Sequence, residues 1–420
     1  MRKQHWAILF ALVALGAGTL WVLLGRTPIE EGRCQLVLRK ANPSGELTRL
    51  ASQVLEPQMA RPQGLPDLPA GFDKPCFYEV RSGDKRVPFV VNLAEKPVLC
   101  LDLDGDGVLS EERQLASTRV REIKGAASPW RFGPISLPSS DNPSEVDNGA
   151  FYVNCYSREA IVRPVSFRTG RLKLEGRTYR VVVADGDCDG RFHSILSLPI
   201  ERHWQLPRAD VFAIDLNRNG KLDCEWFLPV AFEVAPLGRL VRVGNAYYAI
   251  GIAPDGTSLA LSRTEPQFGT LVIEPNDTTV QMKLWSDAAA QCLQGRQWQL
   301  PAGKYQGIYA DFQMKDAAGD VWSFSCDLNS GSANYPLGAL KSFVVEPGKT
   351  TRLRVGPPFV LTAEVRQAGG EVSISPVIFG CGSERYQVSV QCNGRRVPEP
   401  TFKIVDEKGN VLVADKFQYG

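Results

Sequence analysis

The chain has 420 residues, too many for one hydrophobic core, and its 44% hydrophobic and 22% charged residues are those of a globular protein, not a disordered one. A net charge of +2 excludes the broad basic footprint of a nucleic-acid binder. Four Met against 38 Gly and 29 Pro favour short strands joined by tight turns, so a mainly β fold in several domains is expected.

At the N-terminus, Arg2 and Lys3 precede an apolar run from Trp6 to Gly25, long enough to span a bilayer as one helix. Trp6 and Trp21 sit near its ends, where interfacial aromatics are favoured, and the basic residues belong on the cytoplasmic side. Residues 1–25 are therefore expected to be a transmembrane signal anchor, leaving residues 26–420 extracytoplasmic, in the periplasm or on the cell surface. The alternative is a signal peptide cleaved near Ala14, Gly16, Ala17 and Gly18, giving a secreted chain. The ten cysteines all follow this segment and include no C-x-x-C pair, which points to disulfides rather than a zinc ribbon, with buried free thiols as the alternative. Cys381 and Cys392, flanking a hairpin-like stretch, are the best local pair.

Residues 26–75 read as a linker. Leu47, Leu50, Ala51, Val54 and Leu55 follow the stripe of one amphipathic helix that Pro57 would end. Residues 76–263 read as a β-hairpin domain. Segments 77–93, 170–187 and 238–256 each alternate, turn at a glycine (Gly83, Gly176, Gly244) and alternate again. Short alternating runs continue to the C-terminus, which predicts a β-sandwich over 264–356 and a small β-domain over 357–420, with Pro357-Pro358 as the seam. Within them, LPAGKYQGIYADF (300–312) resembles the strand-turn-strand of immunoglobulin-like and carboxypeptidase-regulatory-like modules.

Three acidic loops in the hairpin domain carry the chemistry. Each matches D-x-[DN]-x-[DN]-G after an apolar strand: Asp102, Asp104, Asp106; Asp185, Asp187, Asp189; and Asp215, Asn217, Asn219. Oxygens at positions 1, 3 and 5 converge, Gly at position 6 allows the sharp turn, and the carbonyl at position 7 (Val108, Arg191 or Lys221) adds a ligand. Hard oxygen donors without His or thiolate select calcium. The bidentate Glu of a full EF-hand at position 12 is missing. Glu111 and Glu112 stand close to it in the first loop, and Asp223 and Glu225 in the third. The second loop has no late acid, so its last ligand must come from another segment or from water. The strand-like entries make these loops resemble those of dockerins and thrombospondin-type repeats without the helix pair. The chain as a whole resembles bacterial cell-envelope proteins in which such loops precede β-sandwich modules. That resemblance implies architecture and calcium, and no activity.

Only three histidines exist, His5, His193 and His203, and the motifs H-E-x-x-H, G-x-S-x-G and G-x-x-x-x-G-K-[ST] are absent. The expectation is a calcium-binding structural or binding protein of the envelope, not an enzyme. Its partners are the membrane, through the N-terminal helix, and an envelope polymer or protein, with no nucleic acid. The alternative is a hydrolase or glycan-binding protein acting on an envelope or extracellular polymer, for which a buried, perturbed carboxylate pair in a pocket would be the mark.

Overall fold

Period-2 alternation through most of the chain buries one face of each strand, and the computed structural model is accordingly β throughout, in antiparallel hairpins and meanders. It describes residues 30–40, 53–55, 57, 68–82, 85–102, 108–109, 114–119, 130–136, 150–156, 160–198, 209–223, 233–274, 278–327, 338–368, 371–387 and 390–417. The predicted membrane segment lies outside these. Among the described residues, no helix is long and apolar enough to cross a membrane.

The three hairpins expected from the alternation are present. Pro75–Ser82 pairs with Lys85–Asn92, Ser166–Leu174 with Arg177–Ala184, and Leu240–Val243 with Ala246–Ile252. Three β bodies result, each with its own core. The first packs the sheet begun by Pro75–Ser82 against one built on Phe151–Cys155, around Tyr78, Phe89, Phe132 and Phe151. The second packs the sheets containing Arg177–Ala184 and Ala246–Ile252, around Leu172, Val181, Phe192 and Leu259. The third surrounds Trp285, Tyr305 and Phe312, with Phe268–Glu274 and Thr350–Arg354 as a parallel pair.

Three expectations are corrected. Val54 and Leu55, which close the predicted helical stripe, lie in the strand Gln53–Leu55, paired with Ala160–Pro164; the rest of the stripe lies outside the described residues. Backbone pairing and the packing of Leu55 on the first core override the local periodicity. Residues 33–40 are likewise not linker: Arg33–Gln35 and Val37–Lys40 edge the two sheets of the second body, with buried Leu36 between them. The seam at Pro357-Pro358 is also crossed, because Trp322 pairs with Cys392 and Tyr386 and Val390 pack into the third core. No disulfide joins any two of the nine described cysteines, Cys381 and Cys392 included.

Glu384 stands out in the third body. It is fully buried, and one carboxylate oxygen accepts hydrogen bonds from the Gly356 amide and the Tyr386 hydroxyl, at 2.9 Å for the latter. Gly380 and Gly382 pass so close that any side chain there would strike the carboxylate. Burial raises the Glu384 pKa, and surrounding amides pull it partly back. A raised folded pKa means that the folded state holds the proton more tightly. The linked stability is complete below the unfolded value of about 4.3 and is lost as pH rises toward the folded value. The melting temperature of Glu384→Gln minus that of wild type should therefore grow as pH rises above about 4.3 and level off once the folded carboxyl has ionised. A pH-independent difference would refute this.

Candidate metal centre

Of the three Asp-rich loops, the second is described in full. Asp185 follows the strand Arg177–Ala184, whose partner Val211–Ile214 sets Ala184 opposite Val211. One further step of that antiparallel register sets Asp185 opposite Asp210. Asp187 returns to the same point two residues later. Asp185, Asp187 and Asp210 each offer an oxygen within 4.8 Å of the others, the only such acidic group among the described residues.

The loop's own sequence makes this turn. The Asp185 carboxylate accepts the amides of Asp189 (3.2 Å) and Gly190 (2.8 Å), and Asp189 accepts the amide of Arg191 (2.7 Å). Gly190 has φ +79, which suits glycine, and Cys188 has φ +58. Gly186 allows the close approach: a Cβ there would lie 2.1 Å from the Ala209 carbonyl oxygen. Asp210, itself fully buried, accepts the amides of Gly186 (3.2 Å) and Ser194 (2.8 Å) and so locks the two segments together.

Hydrogen bonds offset only part of the charge of this group, and no basic side chain is among the causes that shift it. Burial first, and then the charges of Asp187 and Asp189, push the Asp185 pKa well above the usual carboxylate range. Burial and the charges of Asp185 and Asp187 do the same to Asp210. Asp187 is raised by burial and by Asp189. Its Oδ1 is buried and has no hydrogen-bond partner. Like charges directly across a strand pair destabilise, and a divalent cation would reverse that sign.

The third loop adopts the same turn without the same charge. Asp215 accepts the amides of Asn219 (3.1 Å) and Gly220 (2.9 Å), Asn219 accepts the Lys221 amide (2.7 Å), and Arg218 (φ +58) and Gly220 (φ +83) repeat the left-handed positions. Here the side-chain amides of Asn217 and Asn219 donate to Asp223 at 2.7 and 3.3 Å. Glu233, from beyond the loop, accepts the Asn217 and Asp223 amides at 2.9 and 2.8 Å. The acids of this loop are thus hydrogen-bonded by groups of the loop itself. In the first loop, Asp102 is buried and Val108 half-buried, while Asp104, Asp106, Glu111 and Glu112 lie outside the described residues, as does Glu225 of the third.

The loop pattern thus sets Asp185 and Asp187 side by side but predicts Asp189 as the third carboxylate and Arg191 as a carbonyl ligand. One Asp189 oxygen accepts the Arg191 amide, and the oxygen that gathers with those of Asp185 and Asp187 is that of Asp210. No local pattern marks Asp210; strand register alone delivers it. Nothing in the spacing marks Glu233, for the same reason. His193 is exposed, while Glu201 and His203 lie outside the described residues.

The segment after Asp187 has a further property. Cys188 is buried in the first core, Phe192 in the second, and Leu196, Leu198 and Ala209 in the third. The three carboxylates therefore stand where all three cores are joined by one stretch of chain. No family model, curated protein or solved structure matches the chain.

Proposed function

We propose that this protein is an extracytoplasmic structural or binding protein of the cell envelope, anchored in the membrane by its N-terminal segment. A calcium ion held by Asp185, Asp187 and Asp210 fixes the junction of its three β bodies. The observation that carries this reading is the meeting of three mutually repelling carboxylates, one with an unpartnered oxygen, on the segment that enters all three cores. Oxygen-only donors favour calcium over zinc or copper. A hydrolase is less well supported. The most strongly perturbed carboxylates, Asp185 and Asp210, are buried, and Glu233, the acid facing the cleft between the sheets of the second body, has both oxygens occupied by backbone amides.

Calorimetric titration of the full chain in mild detergent tests the reading. Calcium should bind at about one site per chain, with a dissociation constant of about 10⁻⁴ to 10⁻³ M, as in extracellular calcium modules, and magnesium should bind more weakly. Asp187→Asn should remove the signal. Absence of binding heat in the wild type would sink the proposal.

A further inference from the structure

The second body carries a cleft of about 430 Å³, within the range of small-molecule sites. It opens between the edge strands Val234–Pro236 and Leu240–Val243, where the two sheets part, and Ala290, Gln291 and Cys292 of the third body close one side. Its apolar wall is formed by Tyr179, Phe212, Ile214, Val243 and Ile250, most of them members of the second core. The cleft is thus an opening into that core, lined by side chains already committed to apolar packing.

Its charge is one-sided. Arg177 and Arg242 stand at the rim, both exposed, and neither forms an ion pair among the described residues. Arg242 donates from Nε to the Gly244 carbonyl at 3.1 Å, which orients its guanidinium along the hairpin turn. The one acid in the lining, Glu233, is 3% exposed and holds the amides of Asn217 and Asp223, so it does not answer either arginine. Gln291, also 3% exposed, adds a buried amide to the far wall. An apolar interior with two exposed cations at its rim favours one class of ligand.

We propose that this cleft binds a small amphiphilic anion, an acyl or aromatic acid, with its apolar body between the sheets and its anionic group at Arg177 and Arg242. The site is separate from the carboxylate centre and does not depend on calcium. The probes are anilinonaphthalene sulfonate, which has an aromatic body and an anion, and N-phenylnaphthylamine, a similar body without charge. Fluorescence titration of the full chain should show saturable binding of both at one site per chain. The double variant Arg177→Gln/Arg242→Gln should weaken the sulfonate at least tenfold and leave the uncharged probe within about twofold. Both substitutions are on exposed side chains and should not disturb folding. Ile250→Trp, which fills the cleft, should abolish both signals while a cooperative melt persists; if that variant does not fold, the arginine variant decides alone. The exposed apolar hairpin face at Leu361, Val365 and Val372 is the competing surface for such dyes. Sulfonate binding that is unsaturable, or that is unchanged in the arginine variant, would place the dye there and overturn the assignment.

Discussion

Calcium at about a hundred times its dissociation constant should stabilise the folded chain by about 2.7 kcal/mol, and Asp210→Asn should remove most of that gain. The variant carries a sharper signature in its sign. In chelator, wild type must keep Asp185, Asp187 and Asp210 together with nothing between them to offset their charge. Asp210→Asn removes one of three neighbouring charges and keeps an acceptor for the Ser194 amide at 2.8 Å, but gives up the longer bond from the Gly186 amide at 3.2 Å; the charge relief is the larger effect, so in chelator it should melt above wild type. In millimolar calcium it should melt below wild type, because it has lost a ligand. Thermal melts in calcium, magnesium and chelator would show the crossing. Asp223→Asn in the third loop should leave the calcium shift unchanged, since the asparagine amides already serve that carboxylate. Parallel curves for Asp210→Asn and wild type in all three conditions would mean that the acidic group holds no ion.

Gly186→Ala should be a damaging single-methyl change in the second acidic loop. Its new Cβ would meet the Ala209 carbonyl oxygen at 2.1 Å, and that oxygen is backbone, unable to swing away. The loop and the segment before Val211–Ile214 must separate, at a cost of about 1–3 kcal/mol. Separation also pulls Asp185 and Asp187 from Asp210, so calcium affinity should fall together with stability. Gly220→Ala is the control. Its Cβ would meet nothing within 4 Å, and only its φ of +83 opposes substitution, at about 1–2 kcal/mol. It should destabilise without touching calcium affinity. If Gly186→Ala binds calcium as wild type does, the close approach is not what assembles the centre.

Much of the architecture is legible along the chain because its causes are local. Alternation with period two buries one face, and glycines at Gly176 and Gly244 turn the chain back, so the hairpins follow from the order of residues alone. The amphipathic stripe ending at Val54 and Leu55 misled because a three-residue strand with a waiting partner outweighs a helical pattern. The edge strands at Arg33–Gln35 and Val37–Lys40 carry too short a signal to stand apart from linker.

By itself the sequence determined the shape of each acidic loop. Asp at position 1, a left-handed residue at position 4 and Gly at position 6 produce the same hydrogen bonds at Asp185 and at Asp215, because those bonds close within six residues. It also determined which loop carries net charge, through Asp187 and Asp189 against Asn217 and Asn219. Tertiary structure alone decided which acids meet. Asp210 reaches Asp185 only because Ala184 pairs with Val211, and Glu233 reaches Asn217 and Asp223 only across the next strand. The carboxylate centre and the cleft therefore owe their loops and turns to short-range hydrogen bonding. Their third carboxylate, their enclosure and their place among three cores come from strand register and side-chain burial, which no local spacing encodes.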